Sequence, residues 1–102
     1  MMGNMKARKL LAHREHIADS AFVEFVLWQL PEPVPGCEHP YKYRLAYVVN
    51  DVCVVRFDNE RGRGDHWHYG TLTGAFTFTN VHALLASFRK MIKRWNDEHS
   101  ID

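Results

Sequence analysis

The chain has 102 residues, of which 46% are hydrophobic and 25% charged, and its formal net charge is +1. That length holds one domain, residues 1–102, with one modest core, and the composition excludes a disordered chain. So small a net charge excludes binding to nucleic acid by bulk electrostatics alone, and no apolar run approaches the ~18 residues of a membrane-spanning helix.

The first fourteen residues, Met1 to Arg14, carry basic side chains but no continuous apolar stretch and no small-residue cleavage site. No secretory signal is read there, so a cytoplasmic location and no membrane partner are expected. The two cysteines, Cys37 and Cys53, do not form a CxxC pair. Free thiols are therefore expected rather than a structural zinc knuckle. Basic residues gather at Lys6, Arg8, Lys9 and Arg14, at Arg61 and Arg63, and at Arg89, Lys90, Lys93 and Arg94. Such local patches can hold phosphates although the overall charge is low, and each taken singly also reads as solvated surface. Seven histidines are many for this length, so some are candidates for chemistry.

In chain order, residues 5–14 predict a short N-terminal helix with Leu10 and Leu11 as anchors. Residues 20–30 are rich in β-branched and aromatic residues, which predicts a strand. Val23, Phe25 and Leu27 would lie on one of its faces, and Phe22, Glu24, Val26 and Trp28 on the other. Pro31, Pro33, Pro35 and Gly36 end that strand in an exposed loop. Residues 41–58 predict a hairpin turning at Asn50-Asp51, because both residue types tolerate the left-handed conformation. A two-residue turn sets Val49 opposite Val52, Leu45 opposite Arg56 and Tyr43 opposite Asp58. Arg56 and Asp58 would then share a face with the tyrosine row, and a one-residue slip would reverse the assignment.

Residues 59–65 form a charged glycine loop. His66–Tyr69 and Ala75–Thr79 predict two short strands, with Gly70 and Gly74 flanking the turn between them. Val81, Leu84, Leu85, Phe88, Met91, Ile92 and Trp95 then recur with helical period, behind an N-cap at Asn80 or Thr79. The basic residues of this segment fall outside the stripe, near the C-terminus that favours cations. The predicted class is α+β: an antiparallel sheet of about four to five strands covered on one face by the long C-terminal helix. The other sheet face stays partly open for a site or a partner.

Chemistry concentrates between Arg56 and His68. In extended chain Arg56 and Asp58 project to one side, as do His66 and His68, and a glycine turn between the pairs can bring them together. Glu24 is a candidate further member. Three readings stay open. The first is RNA cleavage without a metal or cofactor: a histidine takes the 2′-hydroxyl proton, a second acid protonates the leaving oxygen, and arginines hold the phosphorane. The second is a divalent metal site of His66, His68 and a carboxylate, although two histidines at i, i+2 are a weak signal. The third is an ordinary surface ion pair beside solvated histidines. Gly62 and Gly64 with Arg61 and Arg63 could cradle a phosphate, but the lysine-serine/threonine ending and the strand–loop–helix setting of a P-loop are missing. Ser20, Ser87 and Ser100 sit in no nucleophile elbow.

Three stretches carry a family resemblance: Glu24–Gly36 (EFVLWQLPEPVPG), Tyr41–Val49 (YKYRLAYVV) and Val54–His68 (VVRFDNERGRGDHWH). Together they resemble the TumE-like toxins of bacterial toxin–antitoxin pairs, over a core of about residues 6–95. The arginine-aromatic-aspartate-asparagine block followed by histidines is the most specific part. Trp67 departs from the pattern, since a basic residue is usual there; an aromatic could stack on a base or simply pack. The resemblance implies a toxin whose cognate partner is a helix-turn-helix antitoxin, with RNA as the expected target by analogy. By motif match, Arg56, Asp58, Asn59, Asp65, His66 and His68 carry over as the site. Within it Arg56, Asp58, His66 and His68 are expected to be catalytic, and Asn59, Arg61, Arg63 and Tyr43 to bind substrate. No metal ligand and no cofactor is assigned. The runner-up is a non-catalytic module that inhibits a cellular target through a face bearing Tyr41, Tyr43 and Tyr47. An open apolar sheet face would also suit a homodimer or the antitoxin.

Overall fold

The computed structural model describes residues 6–99. Strands β1 (Arg8–Ala18), β2 (Ala21–Gln29), β3 (Tyr41–Val49), β4 (Val52–Glu60), β5 (Gly64–Tyr69) and β6 (Leu72–Ala75) are followed by helix α1 (Val81–His99). The strands pair antiparallel in sequence order, as a six-stranded meander. This is the α+β sheet-and-helix architecture expected, with more strands than expected. One addition replaces the N-terminal helix: residues 8–18 form edge strand β1, almost wholly exposed and paired with β2 from Arg8–Gln29 to Ala18–Ala21. The segment lacks the full apolar stripe that would hold a helix on the sheet, whereas β2 offers it an unpaired backbone ladder.

Helix α1 begins where expected. The Ala83 backbone N–H donates to Asn80 Oδ1 at 2.8 Å, so Asn80 is the N-cap. The predicted stripe faces the sheet. Leu84 and Phe88 are fully buried, and Val81, Leu85, Met91, Ile92 and Trp95 pack around them. Phe88 meets Phe25 and Phe57 edge-on at centroid separations of 5.7 and 6.0 Å. The core thus lies between α1 and the sheet face carrying Val23, Leu27, Tyr43, Leu45, Tyr47, Val55 and Phe57.

The β3–β4 hairpin turns at Asn50 and Asp51, with φ of 51° and 67°, as their left-handed tolerance implies. Val49 pairs with Val52 as expected, but a bulge follows. Val48 pairs with Cys53 while Tyr47 pairs with Val55, so Val54 is an extra residue in β4. Beyond it Ala46 faces Arg56, Leu45 faces Phe57 and Arg44 faces Asp58. The expected pairing of Leu45 with Arg56 is therefore off by one, and every later β4 side chain changes face. Phe57 joins the tyrosine row under α1; Arg56 and Asp58 point to the open face.

The β5–β6 turn also differs in detail. It lies at Gly70-Thr71, with Tyr69 opposite Leu72. Residues 76–79 form no strand, and Gly74 sits inside β6 opposite Trp67. A side chain at Gly74 would lie 2.4 Å from the Trp67 indole, so this glycine makes room for that ring. Trp67 therefore packs against the core cluster rather than joining the histidines beside it in sequence.

Candidate active site

Two cross-strand rows on the uncovered face bring the chemistry together. In one, Arg14, Glu24, Ala46, Arg56, His68 and Thr73 are successive partners across the sheet. In the next, Ala12, Val26, Arg44, Asp58, His66 and Ala75 follow the same path. Partners in antiparallel ladders point to the same side, so Arg56, Asp58, His66 and His68 form a two-by-two patch. The glycine turn brings the two pairs together as the sequence suggests.

Within this patch Arg56 Nε lies 3.0 Å from Asp58 Oδ2. That N–H is not aimed along a hydrogen bond, so the contact is an ion pair by distance only. Arg56 Nη2 lies 3.0 Å from His68 Nε2. A guanidinium can only donate, so His68 Nε2 accepts and carries its lone pair there. Burial pushes the His68 imidazole below its ordinary value, and the Arg56 charge adds to this, with a smaller contribution from Arg63. His66 lies deeper. Its Nδ1 donates to the Gly64 carbonyl at 3.0 Å, and its Nε2 stands 3.2 Å from Asp58 Oδ1. The side chains of His66 and Asp58 are 6% and 9% exposed, against 25% for His68 and 30% for Arg56. Arg56 and His68 are the accessible members of the patch, and the Asp58–His66 pair forms the floor beneath them.

Glu24, the further member suspected from sequence, lies on this face and pairs with Arg14 at 2.8 Å and Arg44 at 3.4 Å. Arg44 is a site neighbour that sequence reasoning missed. It is exposed in β3, and only the bulge at Val54 places it across from Asp58. Arg61 and Arg63 are exposed in the β4–β5 turn at the rim.

The remaining motif residues lie elsewhere. Asn59 is fully buried and Tyr43 is 1% exposed, both on the helix-covered face. Asn59 Oδ1 accepts from the Tyr43 backbone N–H at 3.0 Å, and its Nδ2 donates to the Tyr41 carbonyl at 2.6 Å. The side-chain amide thus continues the β3–β4 ladder past its last backbone pair. Asp65 Oδ2 accepts from the Tyr43 hydroxyl at 2.5 Å and lies 2.7 Å from His39 Nε2. The Tyr41 N–H donates to His39 Nδ1, so the ring proton sits on Nε2 and is given to Asp65. His39 also stacks on Phe78 at 3.8 Å. Cys37 lies beside this group, its thiol pushed up chiefly by burial. His39 was a histidine that sequence reasoning did not single out; nothing local in the sequence marks its pairing with Asp65.

The glycine loop has a structural role as well. Gly62 N–H donates to the Pro35 carbonyl at 2.7 Å, and a side chain at Gly64 would meet the Gly36 carbonyl oxygen at 3.0 Å. The proline loop therefore takes up the Gly62 N–H that a phosphate cradle would need. Two tyrosines of the runner-up reading are likewise covered, Tyr43 and the fully buried Tyr47, whose hydroxyl donates to Asn96 Oδ1 of α1 at 2.7 Å, while Tyr41 is half-buried. A cleft of about 350 Å³ between β1, β2 and α1, lined by Leu11, Ile17, Phe25 and Arg89, lies away from the polar patch.

An open, charged sheet face with a small arginine-aspartate-histidine patch, backed by one helix, defines a small α+β protein with a compact polar site. The chain matches the Toxin TumE family over residues 6–96 and belongs to it. It is a toxin component, and its partner in the general sense is an antitoxin. No curated protein and no solved structure matches it. Among the described residues, no helix is long and apolar enough to cross a membrane.

Proposed function

We propose that this toxin acts on RNA as a metal-independent endoribonuclease, with Arg56, Asp58, His66 and His68 as its catalytic group. The observation that carries the reading is the Arg56–His68 contact on the uncovered face: a phosphate-binding fork touches the lone pair of an imidazole that substrate can reach. An incoming phosphodiester draws the guanidinium onto its non-bridging oxygens, since charge-assisted bidentate pairing outweighs a bond to a neutral ring. This frees His68 Nε2 to accept the 2′-hydroxyl proton. The 2′ oxygen then bonds to phosphorus, the bond to the 5′ oxygen breaks, and that oxygen takes a proton held between Asp58 and His66. Arg56 stabilises the charge gathering on the phosphorane, with Arg44 and Arg63 beside it.

Asn59 and Tyr43 act here by holding the proline loop and the end of β4, not by touching substrate. Arg61 and Arg63 are placed to meet the RNA backbone at the rim. A helix-turn-helix protein is the antitoxin expected to oppose this activity. The test is purified full-length protein with total cellular RNA, with and without EDTA, beside an Arg56→Ala/His68→Ala variant. Cleavage that survives EDTA and disappears in the variant supports the reading. Absence of cleavage under every condition overturns it.

A further inference from the structure

His66 Nε2 and Asp58 Oδ1 are buried, 3.2 Å apart, and neither has a hydrogen-bond partner among the described residues. With Nδ1–H committed to the Gly64 carbonyl, the other ring nitrogen offers a lone pair that is not aimed along the line to the carboxylate oxygen, so both atoms stay unpartnered. Two buried acceptors this close are unfavourable unless something positive binds both, either the proton that the proposed cleavage spends or a metal ion. A third acceptor converges on the same point: His68 Nε2 is 3.9 Å from Asp58 Oδ1, and all three atoms fall within 4.8 Å of one another. Ligands held ~2.0–2.2 Å from a tetrahedral ion are separated by roughly 3.3–3.6 Å, and the spacings of 3.2 and 3.9 Å bracket that range. The Gly64 carbonyl fixes the His66 ring through its other nitrogen, as backbone carbonyls orient imidazole ligands.

We propose that Asp58 Oδ1, His66 Nε2 and His68 Nε2 bind one divalent transition-metal ion of the zinc class, and that this ion switches the toxin's proposed cleavage chemistry off. Two imidazoles and one carboxylate suit Zn²⁺ or its first-row neighbours and do not suit Mg²⁺ or Ca²⁺. The fourth position opens to the uncovered face. Arg56 decides the consequence. Its Nη2 occupies the His68 lone pair that the ion needs, and its charge opposes the ion. Guanidinium and metal are thus mutually exclusive at His68 Nε2. Because the proposed cleavage needs that lone pair, an occupied site has no base. This second statement rests on the ribonuclease reading; the ion site itself does not.

The neighbouring group of Cys37, His39 and Asp65 has similar spacing but is closed to a metal. The His39 Nε2 proton is donated to Asp65, and Asp65 also accepts from Tyr43, so no free imidazole lone pair points into that group. Cys37→Ser is therefore a fair control.

The test is titration of the EDTA-stripped full chain with Co²⁺, read by its ligand-field absorption, followed by displacement with Zn²⁺. One equivalent should bind with tetrahedral-type bands. His66→Gln and Asp58→Asn should weaken binding at least about tenfold, as should His68→Gln, the more exposed ligand, which guards against loss through misfolding. Arg56→Gln should tighten it, and Cys37→Ser should leave it unchanged. No bands in the parent chain, bands that persist in the three ligand variants, or bands lost in Cys37→Ser would each overturn the site. In a parallel RNA assay, stoichiometric Zn²⁺ should stop cleavage and EDTA restore it. Cleavage that requires Zn²⁺ would overturn the switch and the metal-independent mechanism while the ion site stands. Zinc-indifferent cleavage without cobalt bands would overturn the site while the ribonuclease reading stands.

Discussion

Replacing Asn59 with alanine separates a structural role from a catalytic one. The Asn59 side chain is fully buried and satisfies two β3 backbone groups, the Tyr43 N–H at 3.0 Å and the Tyr41 carbonyl at 2.6 Å. Alanine leaves both without partners. A buried unsatisfied backbone group costs about 1–3 kcal/mol, so the pair together costs about 3 kcal/mol once some water entry is allowed for. At about 4–8 °C per kcal/mol for a domain near this size, the melting temperature should fall by roughly 12–24 °C. Circular dichroism melts of the two proteins measure this directly. RNA cleavage measured well below the melting transition should retain the parent's order of magnitude, because the amide faces the helix side and not Arg56. A melting temperature unchanged within about 2 °C, or cleavage lost in a variant that is still folded, would refute this assignment.

Other consequences follow from the same geometry. His68→Ala should lower cleavage and toxicity by about 10²-fold or more while the fold survives, and His66→Ala should abolish toxicity through the floor of the site; full toxicity in both variants would remove these histidines from the mechanism. Phe88→Ala should destabilise the protein by about 3–5 kcal/mol, seen as a lower urea midpoint, because the ring is fully buried between Phe25 and Phe57. Gly74→Ala should displace the Trp67 indole, changing its fluorescence and costing about 1–3 kcal/mol, since the added methyl would sit 2.4 Å from that ring. The Tyr69 phenol is pushed up to about 12 by burial and then by its bond to Glu98, and burial followed by the Asp65 bond holds Tyr43 far above the ordinary tyrosine value. Phenols whose proton affinity is raised by folding stabilise the protein fully below pH ~10 and lose that contribution as pH rises through the folded-state values. Ultraviolet titration should therefore show Tyr43 and Tyr69 ionising late, together with unfolding.

Much of the architecture is legible in the chain because it is local. The β-branched run at residues 20–30, the Asn50-Asp51 turn and the helical stripe from Val81 to Trp95 each bury one face or satisfy one backbone conformation by their own periodicity. The dense segment from Arg56 to His68 marks the polar patch in part, since alternation pairs Arg56 with Asp58 and His66 with His68, while the register across the glycine turn sets both pairs on one side. Tertiary structure decided the rest. Residues 8–18 became a strand because β2 presents an open edge, a fact outside their own pattern. The single extra residue at Val54 exchanged the faces of β4, and with period two such a slip moves Arg56 and Asp58 from the core to the open face. Burial then divided the motif residues by role: Asn59, Asp65 and Tyr43 hold the proline loop on one face, while Arg56, Asp58, His66 and His68 gather on the other. Which polar side chains meet across strands far apart in sequence depends on register and packing, and local sequence carries neither.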